Sequence, residues 1–181
     1  MKSGYFSHYS LLTKGTHMDK ISIIATGGTI DKIYFDAKSE YEVGPPNAIE
    51  VLSQFNLQVP YTITSLMRKD SLDLTDEDRE LIAETVAQDP CRMVIITHGT
   101  DTMPETARHI IAHGGAKDKT VVLTGALLPA MFSATDAVFN IGCALGAVQK
   151  AGAGVYIAMN GKIFMGAKVR KNRELGRFEE S

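Results

Sequence analysis

The sequence predicts an α/β fold, a doubly wound and mainly parallel sheet in three layers of the flavodoxin-like or Rossmann-like kind, formed by a single domain. Two observations carry that prediction. Short continuous apolar runs at residues 21–25, 93–97, 120–124 and 155–159 are rich in isoleucine and valine, as strands buried on both faces require. Between them lie stretches with helical apolar spacing, and strands alternating with helices imply βαβ crossovers. In open sheets of this kind ligands bind outside the carboxyl ends of the strands, so the residues after each apolar run are the place to look for function.

Taken in order, residues 1–17 are polar and without periodicity, and end in Gly15-Thr16-His17-Met18. They read as an expression tag or disordered leader, with the native chain expected to begin at Met18 and the folded domain to span 18–181. The first strand, 21–25, is halted by Gly27-Gly28. Residues 31–46 hold many charges and the breakers Gly44, Pro45 and Pro46, so they are expected to form a long mobile loop, a lid. Helical spacing returns at Ile49, Val51, Leu52 and Phe55, and residues 61–66 alternate as a strand does. A helix opens near Thr75 with Asp76, Glu77 and Asp78 in its first turn, where carboxylates complement the helix dipole, and stops before Pro90.

After the strand at 93–97, Pro104 suits the first turn of a helix with apolar positions Ala107, Ile110 and Ile111, closed by Gly114-Gly115. Residues 134–148 have a helical pattern. Asn160-Gly161 between 155–159 and 162–164 is a two-residue hairpin signal. The tail beyond Lys168 is strongly charged, and no internal repeat or linker is evident.

Composition narrows the function. The chain has 181 residues, 44% hydrophobic and 22% charged, with a formal net charge of -2. The absence of a long basic run argues against nucleic-acid or anionic-membrane partners and points to a small-molecule ligand. No apolar stretch approaches the roughly 18–20 residues that span a bilayer, and a cytoplasmic location is expected. Cys91 and Cys143 lack metal-ligand spacing and are expected to be two buried thiols in a reducing compartment; neither a metal nor another cofactor is implied.

Two segments at strand ends can carry chemistry. Ala25-Thr26-Gly27-Gly28-Thr29-Ile30 joins paired glycines, which let the backbone turn sharply, to two hydroxyls. It has neither the G-x-G-x-x-G spacing nor the Gly-Lys-Ser/Thr ending of phosphate loops, so a hydroxyl nucleophile on a tight turn competes with a plain turn. His98-Gly99-Thr100-Asp101-Thr102-Met103 sits where catalytic loops of α/β domains lie, while helix capping by Asp101 or Thr102 is its structural alternative.

Together these segments closely resemble the two signatures of the bacterial-type L-asparaginase family. The resemblance runs from about Ile21 to Lys171, taking in Ser39-Glu40-Tyr41-Glu42-Val43-Gly44 and Thr124-Gly125-Ala126, and covers the family's larger N-terminal domain. It implies hydrolysis of L-asparagine to L-aspartate and ammonia through an acyl-enzyme, with Thr29 as nucleophile and Tyr41 as its proton acceptor. A second cluster, Thr100, Asp101 and Lys171, would have the lysine polarise Thr100 and thereby activate water; which threonine attacks first stays open, and the lysine register could slip to Lys168. Asp101 would hold the substrate ammonium and Ser71 its carboxylate. Backbone amides of the Gly27 to Thr29 turn, Gly28 included, or around Ala126 would serve the oxyanion. Thr26 would support the turn and His98 would orient its loop.

The chain also departs from the family pattern. Leu72 stands where a polar neighbour of the serine is usual. Family members usually continue past the position of Lys171 into a smaller C-terminal α/β domain that supplies an acid to a neighbouring subunit's site, whereas this chain stops at Ser181. Asp31, Asp36, Glu40 and Glu42 are the acids near the loop that could replace it. The resemblance further implies a homo-oligomer, dimer or tetramer. A mixed asparaginase/glutaminase, a tRNA-dependent amidotransferase component and a non-catalytic amino-acid-binding relative are the rival readings.

Overall fold

The computed structural model describes residues 8–10, 20–35 and 40–181. Its strands are β1 (His8–Ser10), β2 (Ile21–Gly27), β3 (Lys32–Phe35), β4 (Glu40–Val43), β5 (Tyr61–Lys69), β6 (Met93–Thr97), β7 (Thr120–Thr124), β8 (Gly154–Met159), β9 (Lys162–Met165), β10 (Val169–Asn172) and β11 (Arg177–Glu180). Its helices are α1 (Ala48–Ser53), α2 (Asp76–Gln88), α3 (Met103–His113) and α4 (Ala137–Lys150). The main sheet has seven strands in the order β1-β5-β2-β6-β7-β8-β9. The strands from β5 to β8 are parallel, and β1 and β9 close the edges antiparallel.

Among the parallel strands, the first in sequence, β2, has the second, β5, on one side and the third, β6, on the other. This is the doubly wound order with its switch point between β2 and β6, where a crevice opens at the carboxyl ends. Both faces are covered. Ile82, Ala83 and Val86 of α2 and Ala107 and Ile110 of α3 pack with Ile24, Val94, Ile96, Val121 and Leu123 on one face. Ala48, Val51 and Leu52 of α1 and Ile141, Ala144 and Val148 of α4 pack with Ile21, Ile23, Ile95 and Val122 on the other. Every residue of β2 is buried, which is why it reads as an unbroken apolar run rather than an alternating one.

Local signals set the helix ends. Thr75 and Asp78 form a reciprocal capping box on α2, and Gly114 closes α3 with φ 78°. Asn160 and Gly161, with φ of 54° and 76°, make the tight turn into β9.

The structure corrects the sequence reading in several places. Residues 31–46 are not a structureless loop: β3 and β4 pair antiparallel from Lys32↔Val43 to Phe35↔Glu40. Ile33, Tyr34, Phe35, Tyr41 and Val43 are good strand formers, and the interspersed lysines and glutamates conceal them. The charged tail likewise folds, with β10 and β11 pairing from Val169↔Glu180 to Asn172↔Arg177. Helix α4 begins at Ala137, three residues later than 134, and Cys143 is half-buried where Cys91 is buried. Within the tract read as a leader, His8–Ser10 pairs with β5, while residues 1–7 and 11–19 lie outside the described residues.

Candidate active site

Two glycines force the chain into shape beyond β2. Gly27 and Gly28 have φ of 104° and 87°, a region costly for any residue with a Cβ. A Cβ on Gly28 would lie 2.3 Å from both the Cα and the N of Gly99. The two motifs therefore meet backbone to backbone, and only because neither carries a side chain there. Thr26, 1% exposed, donates its hydroxyl to the Thr97 carbonyl at 2.9 Å and ties β2 to β6 at their ends. Thr29 then opens a single 3₁₀ turn, Thr29–Asp31. It is half-buried, and its hydroxyl makes no hydrogen bond among the described residues.

The segment after β6 is buried and extensively hydrogen-bonded. His98 is fully buried, and its Nδ1–H donates to the Gly99 carbonyl at 2.6 Å, leaving Nε2 to accept from the Thr106 hydroxyl at 2.9 Å. Burial pushes the imidazole down to about 4, so it is neutral near pH 7 and holds the loop. Ser71, 1% exposed, accepts the Asp101 amide on its Oγ at 3.3 Å, and its carbonyl accepts the Thr102 hydroxyl at 2.7 Å. Asp70 caps the turn that carries Ser71 by accepting the Leu72 amide, and forms a 2.8 Å ion pair with Lys32. Leu72 itself is exposed.

Strand β10 brings the cation. Val169 and Phe178 enter the core, Lys171 stands opposite Phe178, and residues two apart on a strand share a face. Lys171 is thus directed inward: its ammonium donates to Thr100 Oγ1 and, at 3.0 Å, to Asp101 Oδ1, and lies 5.9 Å from the centre of the Phe178 ring. Its side chain is 8% exposed. Lys168 lies exposed in the preceding 3₁₀ turn, so it is Lys171 that meets Thr100. Arg108 of α3 fastens the strand by donating to the Val169 carbonyl at 3.1 Å. A cleft of about 590 Å³ opens beside this corner, with Asp101, Arg108, Lys171 and Arg173 in its wall.

Thr100, Asp101, Lys171 and Ser71 are thus joined in one hydrogen-bonded corner. No hydrogen bond among the described residues joins Thr29 or Tyr41 to this corner. Tyr41 is half-exposed on β4, packing edge-on against Tyr34 at 5.5 Å and Phe132 at 6.1 Å between ring centres. Of the expected oxyanion donors, the Gly28 amide is engaged with the Lys69 carbonyl at 2.9 Å. The Thr29 amide, at the start of a helical turn, belongs to the class of donors with no intrahelical partner. Ala126 is fully buried.

The chain beyond Ala126 is shaped by residues the sequence reading passed over. Asp136 accepts the Leu127 and Leu128 amides at 3.0 Å, and buried Asn140 donates to Asp136 and to the Gly125 carbonyl. A fully buried asparagine on the apolar face of α4 was the available signal, because a buried amide must find partners. Among the acids near β3 and β4, Asp31 is 1% exposed and accepts the Asn47 amide at 2.8 Å. Burial raises its carboxyl to about 7, against the lowering effects of Asn47 and Arg68. Glu42 lies half-buried on β4; Asp36 and the side chain of Glu40 lie outside the described residues. Among the described residues no group of three or more His, Cys, Asp or Glu side chains is placed to hold a metal, and no helix is long and apolar enough to cross a membrane.

Both signature motifs thus meet at the switch point, and residues 20–177 match the family described as Asparaginase, N-terminal. The chain belongs to that family. It is 30% identical over 166 residues to L-asparaginase of Thermococcus kodakarensis, covering 87% of this chain and 49% of the relative. The solved structure titled as the thermostable L-asparaginase of that organism superposes with a TM-score of 0.77 at 28% identity, covering 89% of this chain and 51% of the other. L-asparaginase 2 of Escherichia coli is 32% identical over 163 residues, 85% of this chain and 47% of the relative. A component of the glutamyl-tRNA(Gln) amidotransferase of Methanococcus vannielii is 28% identical over 178 residues, 88% and 40% respectively. The chain spans about half the length of these curated relatives or less.

Proposed function

We propose that this chain hydrolyses the side-chain amide of L-asparagine to L-aspartate and ammonia, without a metal or other cofactor. The observation that carries this reading is the Lys171 ammonium set on Thr100 and Asp101 beside the Gly28–Gly99 contact that presents Thr29. A site for a small zwitterion needs an acid for the ammonium, donors for the carboxylate and a nucleophile for the amide. Asp101, Ser71 and Thr29 meet those needs at one sheet edge.

In this mechanism the Thr29 Oγ attacks the amide carbon while its proton passes through the Tyr41 hydroxyl, which accepts it as it gives its own to the amide nitrogen. The oxyanion is held by the Thr29 amide and backbone donors near Ala126. The C–N bond breaks as nitrogen gains a proton, and ammonia leaves behind an ester on Thr29. Thr100, its hydroxyl polarised by Lys171, then takes a proton from water as water attacks that ester and releases its own to the departing Thr29 oxygen, which restores the Thr29 hydroxyl as aspartate departs. Covalent catalysis divides one difficult hydrolysis into two easier steps. An alternative order, in which Thr100 attacks first, uses the same groups.

A mixed asparaginase/glutaminase is the nearest alternative, because one substrate methylene alters binding by only about 1–3 kcal/mol. The protein is further proposed to be a cytoplasmic homo-oligomer, dimer or tetramer, of the domain at 18–181, which light scattering on the purified chain checks. The deciding experiment is ammonia release from L-asparagine and L-glutamine in parallel, with Thr29→Ala as control. Turnover of asparagine alone, lost in the control, supports the proposal. Comparable rates on both substrates mean a mixed amidase, and no turnover of either favours an amino-acid-binding relative.

A further inference from the structure

Asp31 holds both ends of the β3–β4 hairpin. It directly precedes β3, and its backbone carbonyl accepts the Gly44 amide at 2.7 Å, closing the hairpin where β4 ends. Its carboxylate accepts the Asn47 amide at 2.8 Å, fixing the chain as it leaves the hairpin for α1. Its own amide donates to the Gly28 carbonyl at 3.1 Å, within the turn that begins at Thr29. Asn47 returns a further bond to the Ile30 carbonyl at 3.1 Å. One residue thus links the Thr29 turn to the hairpin bearing Tyr41.

A carboxyl this buried is costly to ionise, and most buried positions of this size are apolar. Its retention two residues from Thr29 therefore asks for a role. Ionisation strengthens the bond to Asn47 by charge assistance, but the larger effect is the cost of holding the charge out of water, so the seated arrangement favours the protonated form. Helix α1 has six residues and gains its position from three buried side chains together with these bonds. Admitting water beside the ionised carboxylate relieves that cost but loosens Asn47, and with it one of the hairpin's attachments.

Resting on the asparaginase reading above, we propose that Asp31 is a positioning residue whose ionisation sets how firmly the Tyr41 hairpin is held over the Thr29 turn. The charged groups on the elements that flank it are Arg68 on β5, the Lys32–Asp70 pair at the foot of the hairpin, Glu42 on β4 and Glu50 on α1, and the one that acts measurably on Asp31 is Arg68. Of these Arg68 favours the ionised form, offsetting part of the burial. The other nearby titrating candidate, His98, is held to about 4 and stays neutral across the range in question. His109 and His113 pair with Glu80 between α2 and α3, on the sheet face opposite α1. Tyr41 needs the hairpin seated to receive a proton, so the fraction of molecules ready for asparagine falls as Asp31 loses its proton. The binding-competent fraction scales apparent affinity, and the effect enters through kcat/KM more than through kcat at saturation.

The test combines a spectroscopic and a kinetic readout on the full chain. The Asn47 amide proton resonance is followed by NMR from pH 5 to 9 in the unmodified protein and in Asp31→Asn. The expected result is one titration of Asn47 with its midpoint near neutrality, absent in the variant. For L-asparagine hydrolysis, kcat/KM is expected to fall about five- to tenfold on the alkaline side with that midpoint. Asp31→Asn should lose this limb and stay at the high level throughout, with kcat changed less than KM. An Asn47 resonance that does not titrate, or an alkaline limb that survives in Asp31→Asn, overturns the proposal. If the chain hydrolyses no amide, the functional reading fails while the Asn47 titration still decides the role of Asp31. Should Asp31→Asn not fold, the titration in the unmodified chain decides it alone.

Discussion

The two halves of the site are built differently. The Thr100 corner is closed: Lys171, Asp101, Ser71 and Thr102 are tied by hydrogen bonds to one another and, through β10, to the hydrophobic core. The Thr29 corner is open. Its hydroxyl has no partner among the described residues, and Tyr41 stands half-exposed on a two-stranded hairpin held by aromatic packing and by Asp31. The contrast teaches that the sheet preorganises the proposed proton-transfer cluster, whereas the surroundings of the proposed nucleophile depend on how a surface hairpin is seated. Preorganised groups stabilise charge without reorganising, and a hairpin that seats itself can admit substrate and then exclude water.

The strongest way to test this division is to remove each half. Thr29→Ala should abolish hydrolysis, by about 10³-fold or more in kcat, with an unchanged circular dichroism spectrum, because the residue's proposed role is chemical. Full turnover in that variant would transfer the nucleophile to Thr100. Gly28→Ala should damage both halves together. With φ at 87° and Gly99 2.3 Å from the new Cβ, it should cost about 2 kcal/mol or more in urea unfolding and also eliminate activity. A stable, active Gly28→Ala protein would show that the two motifs do not depend on this contact.

Lys171→Ala should lower kcat by about 10²–10⁴-fold while KM for asparagine moves only a few-fold, since the lysine is assigned to proton transfer. A loss confined to KM would make it a binding residue and erase the distinction between the corners. The smallest effect concerns stability and pH. The folded-state value of Asp31 is raised from 3.8 to about 7 by burial. Its contribution is therefore fully present below its unfolded value and is lost as pH rises towards 7. Asp31→Asn should raise Tm at pH 8 and leave it nearly unchanged at pH 4, each kcal/mol recovered being worth roughly 2–4 °C in a domain of this size. Equal Tm differences at the two pH values would show that Asp31 does not titrate in the folded protein.

Much of the frame was legible in the residues themselves. The buried strands β2, β6, β7 and β8 announce themselves as apolar runs because both faces of a parallel sheet are covered, and Gly114 and Asn160-Gly161 mark their turns by the backbone angles they permit. The motifs at Thr29 and Thr100 were visible as polar residues and glycines at strand ends. Both two-stranded hairpins were hidden, since β3–β4 and β10–β11 present charged side chains to solvent and their pairing is a long-range property that local composition does not encode. Asp31 was visible as one acid among four near the loop. Nothing in sequence singled it out, because burial depends on where the hairpin and α1 close around it.

The distance along the chain between Thr100 and Lys171 has a consequence for synthesis. The lysine that completes the threonine's hydrogen bonds is added to the chain seventy-one residues later. In the interval α3, β7, α4, β8 and β9 are made, and domains emerging from the ribosome fold from the N-terminal side as units. A nascent chain that already displays both glycine-threonine motifs thus still lacks the cation that joins Thr100 to Asp101. On the proposed mechanism, deacylating power would arrive only when the strand beyond Lys168 docks, so the order of translation itself would keep the unfinished polypeptide from consuming the asparagine of the cell that is making it.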